Sequence, residues 1–175
     1  MELPNSDEHQ RFQSMDKNAL PDAFAYAMRV LALRSHSSEE LLRKLLKKKH
    51  AIPVAEATIE RLKMLKLLDD ESFARELISS RSRKRPQGTI KMRAELTAKG
   101  VSETIIADLL SQYDSATLCY QAGLKKLATL KGADNAAAKS KLERFLYNRG
   151  FEWHAIEQTV KRLLSLSTSS EDEMD

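Results

Sequence analysis

The residues best placed to do chemistry are cations. Arg81, Arg83, Lys84 and Arg85 put four positive charges in five positions, directly before Pro86-Gln87-Gly88. Arg43, Lys44, Lys47, Lys48 and Lys49 form a second cluster. Lys91, Arg93 and Lys99 follow the first, and Arg144 and Arg149 hold comparable places further on. Cations at helix ends oppose the helix dipole and stabilise by a few tenths to ~1 kcal/mol each. That accounts for Lys48, Lys99 and Arg149. It does not account for Arg81 to Arg85, whose mutual repulsion costs stability unless an acidic neighbour or a partner offsets it; phosphate is the natural partner and an acidic protein groove the other. The expected partner-binding set is therefore Arg43, Lys47, Lys48, Arg81, Arg83, Lys84, Arg85, Lys91, Arg93, Lys99, Arg144 and Arg149.

Other chemistries find less support. The five glycines are scattered singly and no Gly-Lys-Ser/Thr occurs, which argues against a phosphate-loop ATPase. His9, His36, His50 and His154 lack the spacing of metal ligands on one helix. Asp69-Asp70-Glu71 could hold a divalent cation, but acids before an apolar run cap free helix amides. Cys119 sits on an apolar face and reads as core. Tyr113, Tyr120, Tyr147, Phe151 and Trp153 fall at apolar-periodic positions and also read as core, so no stacking platform for single strands is expected. The expectation is no catalysis, no cofactor and no metal.

The elements that must position the cations are helical. The chain has 175 residues, 42% apolar, with 5 Gly, 4 Pro and 6% aromatics, too few turn formers and aromatics for a β-sandwich. One cysteine excludes a disulfide framework, and no run of 18 apolar residues exists. Net charge is +4. Residues 1–22 carry five acids against two cations and 167–175 carry four acids and no cation, which leaves +11 on the stretch between. Residues 1–20 and 167–175 read as flexible, acidic ends, and a reducing cytoplasm fits best.

Start and stop signals divide the rest. Asp22, after Pro21, opens a helix through Phe24, Ala27, Met28 and Leu31. Ser37 with Glu40 spells a capping box, Pro53 suits a first helical turn, and Ser102 and Asp114 or Ser115 are further caps. Gly100 and Gly150 sit where a left-handed helix stop is wanted. Nine helices result, and they repeat in threes. Leu45-x-x-Lys48-Lys49, Leu96-x-x-Lys99-Gly100 and Leu146-x-x-Arg149-Gly150 are three versions of one helix end. Ile106 and Ile156 come ten residues after their leucines, whereas Ile59 comes fourteen after Leu45, so about four extra loop residues are expected in the first copy. A period near 50 with three helices per unit reads as a short helical array. The expected fold is all-α: three tandem three-helix repeats in an elongated, curved array. The expected boundaries are 21–68, 69–114 and 115–166.

These segments, in order, resemble the RecX family of regulators of the RecA recombinase. The stretches that carry the likeness are Ala27-Met-Arg-Val-Leu-Ala-Leu-Arg34 with His36-Ser-Ser-Glu-Glu-Leu-Leu-Arg-Lys-Leu45; Leu67-Leu-Asp-Asp-Glu-Ser-Phe-Ala74; Ser80-Arg-Ser-Arg-Lys84 with Gly88, Arg93-Ala-Glu-Leu96 and Lys99-Gly-Val-Ser102; and Arg144-Phe-Leu-Tyr-Asn-Arg-Gly-Phe151. The resemblance implies binding in the groove of the RecA filament on single-stranded DNA; a monomer is expected. It implies restraint of recombinase and coprotease activity in recombinational repair and the SOS response, without catalysis, cofactor or membrane. It carries Arg81, Arg83, Lys84, Arg93 and Lys99 over as basic positions of the family's central motif, and Asp69, Asp70 and Phe73 as its acidic-aromatic signature. Lys49, in place of Gly, and Arg85-Pro86-Gln87 depart from the pattern. The other reading of the same charges is a helical repeat protein that binds nucleic acid independently of sequence and has no recombinase partner.

Overall fold

The structure is a computed structural model. It describes residues 6–130 and 134–169, with side chains from 19 to 130 and from 134 to 165. Among these residues there are nine helices and no strand: α1 (Ser6–Leu31), α2 (Ser38–Lys47), α3 (Ile52–Met64), α4 (Asp70–Lys84), α5 (Thr89–Ala98), α6 (Glu103–Ser111), α7 (Ser115–Leu127), α8 (Asn135–Asn148) and α9 (Trp153–Ser169). The fold is an all-α repeat, as the periodicity predicts. None of these helices is long and apolar enough to cross a membrane.

The helices fall into two compact units. One holds the chain up to Ala74 together with Lys99–Val101, and the other holds Arg75–Ala98 and the chain from Ser102 onward. In the first, Ala23, Ala27 and Val30 of α1 meet Leu41 and Leu45 of α2 and Ala55, Ile59 and Leu62 of α3. In the second, Cys119 and Ala122 of α7 meet Leu142 and Leu146 of α8, Phe151, and Ile156 and Val160 of α9. The buried leucine-type side chains each contribute about 1.5–3 kcal/mol relative to exposure.

The repeat is exact in residue register. Leu45, Leu96 and Leu146 are fully buried, and so are Leu41, Met92 and Leu142, one turn earlier. Ten residues on come Ala55, Ile106 and Ile156, again fully buried, and fourteen on come the buried Ile59, Leu110 and Val160. The longer first loop expected from Ile59 is therefore wrong. The first repeat has no extra loop residues; its tenth position is Ala55, a small side chain that an apolar count passes over.

Helix ends follow local chemistry, with three departures. The Ser37 hydroxyl caps α2 by accepting from the Glu40 amide at 3.1 Å, but Glu40 does not complete the box, because its carboxylate is drawn to cations. Ser102 starts α6 without a side-chain cap bond, its hydroxyl lying 3.0 Å from that of Thr104 instead. And α1 runs through Pro21 from Ser6, so helical backbone covers much of the stretch expected as an arm; residues 1–5 lie outside the described residues. Pro21 lies inside α1, where it has no amide hydrogen to donate. Of the tail expected over 167–175, residues 170–175 also lie outside them.

The three helix stops share one backbone conformation. Gly100 and Gly150 have φ of 77° and 75°, and Lys49 takes the same left-handed turn at 69°. The lysine thus accepts a conformation that glycine adopts without steric cost. Tyr147 and Trp153, expected in the core, are 67% and 57% exposed. Their positions are periodic, but the neighbouring Leu146 and Ile156 already fill the interior.

Candidate anion-binding cleft

The basic positions separate into three groups. The first lies within the first unit. Arg43 pairs with Glu39 one turn away at 2.8 Å on the exposed face of α2. Lys47 and Lys48 are exposed where α2 ends. Lys99 is bound more firmly: its ammonium lies 2.5 Å from Glu40 Oε1, and Arg34 approaches the same carboxylate at 3.2 Å. Burial alone would raise the Glu40 pKa, but hydrogen bonds from Arg34 and Lys99 outweigh it and bring the value to about 2. The Ser37 hydroxyl also donates to the Lys99 carbonyl at 2.5 Å, and the Ser38 amide to Asp70 Oδ1 at 2.7 Å. Asp69 accepts from the Glu71 amide at 2.9 Å and caps α4. The acidic cluster is thus engaged in holding backbone amides, and no group of three or more metal-ligating side chains occurs among the described residues.

The second group does not converge, and all but the half-buried Arg93 are exposed. Arg83 and Lys84 project from the last turn of α4, and Arg144 from α8. Arg93 of α5 is ion-paired with Glu103.

The third group converges within the second unit. Arg81, Arg85, Gln87, Lys91, Glu95 and Arg149 line a cleft of about 250 Å³. The chain builds it by packing the start of α5 against the end of α8. The Gly88 amide donates to the Arg149 carbonyl at 2.9 Å, and the Ile90 amide to the Gly150 carbonyl at 3.2 Å. A Cβ on Gly88 would overlap the backbone of Gly150 and Phe151, so this close approach needs glycine. Tyr113 holds the turn from beneath, its hydroxyl donating to the Gln87 carbonyl at 2.7 Å.

Charge in the cleft is strongly positive, with four cations against one carboxylate. That carboxylate is occupied. Glu95 accepts from Arg81 Nε at 3.0 Å and Nη2 at 2.5 Å, and from Gln87 Nε2 at 2.8 Å. The bond to Glu95 raises the Arg81 pKa, marking Arg81 as a structural cation. Arg149 is in the opposite state. Its guanidinium donates to the Pro86 carbonyl at 3.1 Å and sits 4.8 Å from the centre of the Phe145 ring. Burial and then the charge of Arg85 lower its pKa, as expected of a cation held near another cation. Lys91 donates to the Asn148 carbonyl at 3.3 Å. The arrangement offers converging donors and uncompensated charge to an oxyanion.

Arg81, Arg85, Lys91 and Arg149 stand out in the sequence as cations, but their convergence does not, and neither do Gln87 and Glu95. The available signal was the repeat register, which aligns the start of α5 with the start of α2.

Comparison with known proteins gives the same repeat. Family models described as the first, second and third three-helix domains of RecX match residues 23–62, 69–110 and 112–160. The chain belongs to the RecX family. Regulatory protein RecX of Pelodictyon phaeoclathratiforme is 50% identical over 159 residues, covering 91% of this chain and 99% of that one. Regulatory protein RecX of Chlorobium limicola is 47% identical over 152 residues, covering 87% and 96%. The crystal structure of RecX from Lactobacillus salivarius superimposes with a TM-score of 0.75 at 18% identity, covering 86% of this chain and 99% of that one, which shows the shared fold. The cleft lies where the second RecX domain gives way to the third: Arg81 to Glu95 fall in the one and Arg149 in the other.

Proposed function

We propose that this chain binds the RecA filament on single-stranded DNA and restrains its recombinase and coprotease activities in recombinational repair and the SOS response. Membership of the RecX family supports the regulatory role and the recombinase partner. The observation that carries a contact with an anionic filament is the cleft, where Arg85, Lys91 and Arg149 converge without a carboxylate of their own. Units of three helices at 21–68, 69–114 and 115–166 would set this surface along the filament. The chain works as a cytoplasmic monomer, by binding, with no cofactor and no reaction of its own. Arg43, Lys47, Lys48, Arg83, Lys84 and Arg144 extend the basic surface; Arg81, Arg93 and Lys99 serve it through their ion pairs.

The test is ATP hydrolysis by RecA on single-stranded DNA, with this protein added well below the RecA concentration. A fall in turnover is the expected result. No effect until the protein saturates the DNA would favour sequence-independent nucleic-acid binding without a recombinase partner.

A further inference from the structure

The repeat register sets two places in the molecule side by side. In the first unit, Arg34, Glu40 and Lys99 form a cation–anion–cation group at the start of α2. Fifty-one residues after Arg34 and Glu40 stand Arg85 and Lys91, and fifty after Lys99 stands Arg149. The leucines that anchor the repeats are offset by the same amounts. The contacts follow the same register with different donors: the Lys99 carbonyl accepts from the Ser37 hydroxyl, and the Arg149 carbonyl from the backbone amide of Gly88, the residue in the place of Ser37.

Among these three aligned side chains the two joints differ in the sign of one, a carboxylate in the first and an ammonium in the second. In the first, the central side chain is the carboxylate of Glu40, which both cations contact. In the second, the central side chain is Lys91, and the group is three cations around an open cleft. No carboxylate contact to Arg85, Lys91 or Arg149 occurs among the described residues. Glu95, across the cleft, is held by Arg81 and Gln87.

We infer that the second joint is an anion-binding site in which an external phosphate group takes the place that Glu40 fills in the first joint. The phosphate is a phosphodiester of the DNA backbone, held by Arg85, Lys91 and Arg149. A tetrahedral oxyanion suits donors converging from three segments, and the cleft volume admits one such group. Binding ties the start of α5 to the end of α8, as Glu40 and Lys99 tie the first joint, so contact with DNA stiffens this joint. Only the source of the phosphate rests on the filament reading; the site itself stands on the two joints.

The test uses the full chain without RecA and exchanges Lys91 for the residue of the first joint. Lys91→Glu and Lys91→Ala are compared with the parent protein in two measurements. One is thermal unfolding with inorganic phosphate added at constant ionic strength against chloride. The other is the anisotropy of a labelled oligothymidylate. The parent protein is expected to gain stability with phosphate in a saturable way. Lys91→Glu should melt higher than the parent at low salt without phosphate, gain nothing from phosphate, and bind the oligonucleotide about tenfold more weakly or worse. Lys91→Ala should lose phosphate stabilisation without the gain in melting temperature, and it keeps the test decisive if Lys91→Glu does not fold. Equal phosphate stabilisation in all three proteins would overturn the site. An oligoglutamate binding as tightly as the oligonucleotide would overturn the phosphodiester assignment in favour of an acidic protein partner. A site that binds phosphate in a protein without effect on RecA would leave the inference standing and remove the filament reading; inhibition of RecA without phosphate binding would do the reverse.

Discussion

The Lys99 ammonium lies 2.5 Å from Glu40 Oε1, although 59 residues separate them in the chain. This contact and the hydrogen bond from Ser37 to the Lys99 carbonyl fasten the start of α2 to Lys99 within one compact unit. The joint is electrostatic, so it responds to pH and to the loss of one charge.

Removing that charge gives the first prediction. Glu40→Gln should destabilise the protein by about 1–2 kcal/mol near neutral pH, the full linkage value being discounted because Arg34 and Lys99 are partly open to solvent. The sign with pH follows from a depressed carboxylate pKa. The contribution is complete above about 4.5 and is lost as pH falls toward about 2. Thermal melting of both proteins across that range should show their difference shrinking with acid.

Lys49 provides a stabilising change. Its φ of 69° lies where Gly100 and Gly150 stand in the other repeats. Lys49→Gly should raise stability by about 0.5–1 kcal/mol, with relief of the left-handed strain exceeding the added entropy of the unfolded chain. Urea unfolding should show a higher midpoint and an unchanged slope.

Gly88→Ala should do the opposite. The added methyl overlaps the Gly150 and Phe151 backbone, so α5 must withdraw from α8. A loss of about 1–3 kcal/mol is expected, by analogy with overpacked cores. Oligonucleotide affinity should fall with it, because the cleft depends on that approach.

Arg81 and Arg149 line the same cleft but should behave differently. Arg81→Ala leaves Glu95 partly uncompensated and should cost about 1–2 kcal/mol of stability. Arg149→Ala should chiefly weaken binding and reduce the slope of log affinity against log salt by about 0.7, the value of one single-strand phosphate contact. Equal salt slopes for Arg149→Ala and the parent protein would remove Arg149 from the contact surface.

Much of this architecture was legible in the residues. Ser37, Asp69 and Asp114 announce helix starts, Gly100 and Gly150 announce stops, and both signals act within one helical turn. Ala55 was missed because a small core residue leaves a weak trace in apolar periodicity, although it holds the same place as Ile106 and Ile156. Tyr147 and Trp153 were misplaced because periodicity ranks residues by type, whereas burial depends on which neighbour reaches the interior first. Glu40 spells half of a capping box, yet Arg34 nearby and the distant Lys99 offer its carboxylate more than the Ser37 amide does.

The helical class, the threefold repeat and the family follow from residue order alone, because each rests on spacing within a turn or on recurrence near 50 residues, and the surplus of positive charge follows from composition. Tertiary structure decided which cations matter together. Arg85 and Arg149 lie 64 residues apart, and nothing local distinguishes them from Arg83 or Arg144. Only the close approach of Gly88 to Gly150 brings them to one cleft, and only the packing that gives Glu95 to Arg81 leaves Arg85, Lys91 and Arg149 facing an open cleft with no acid of their own.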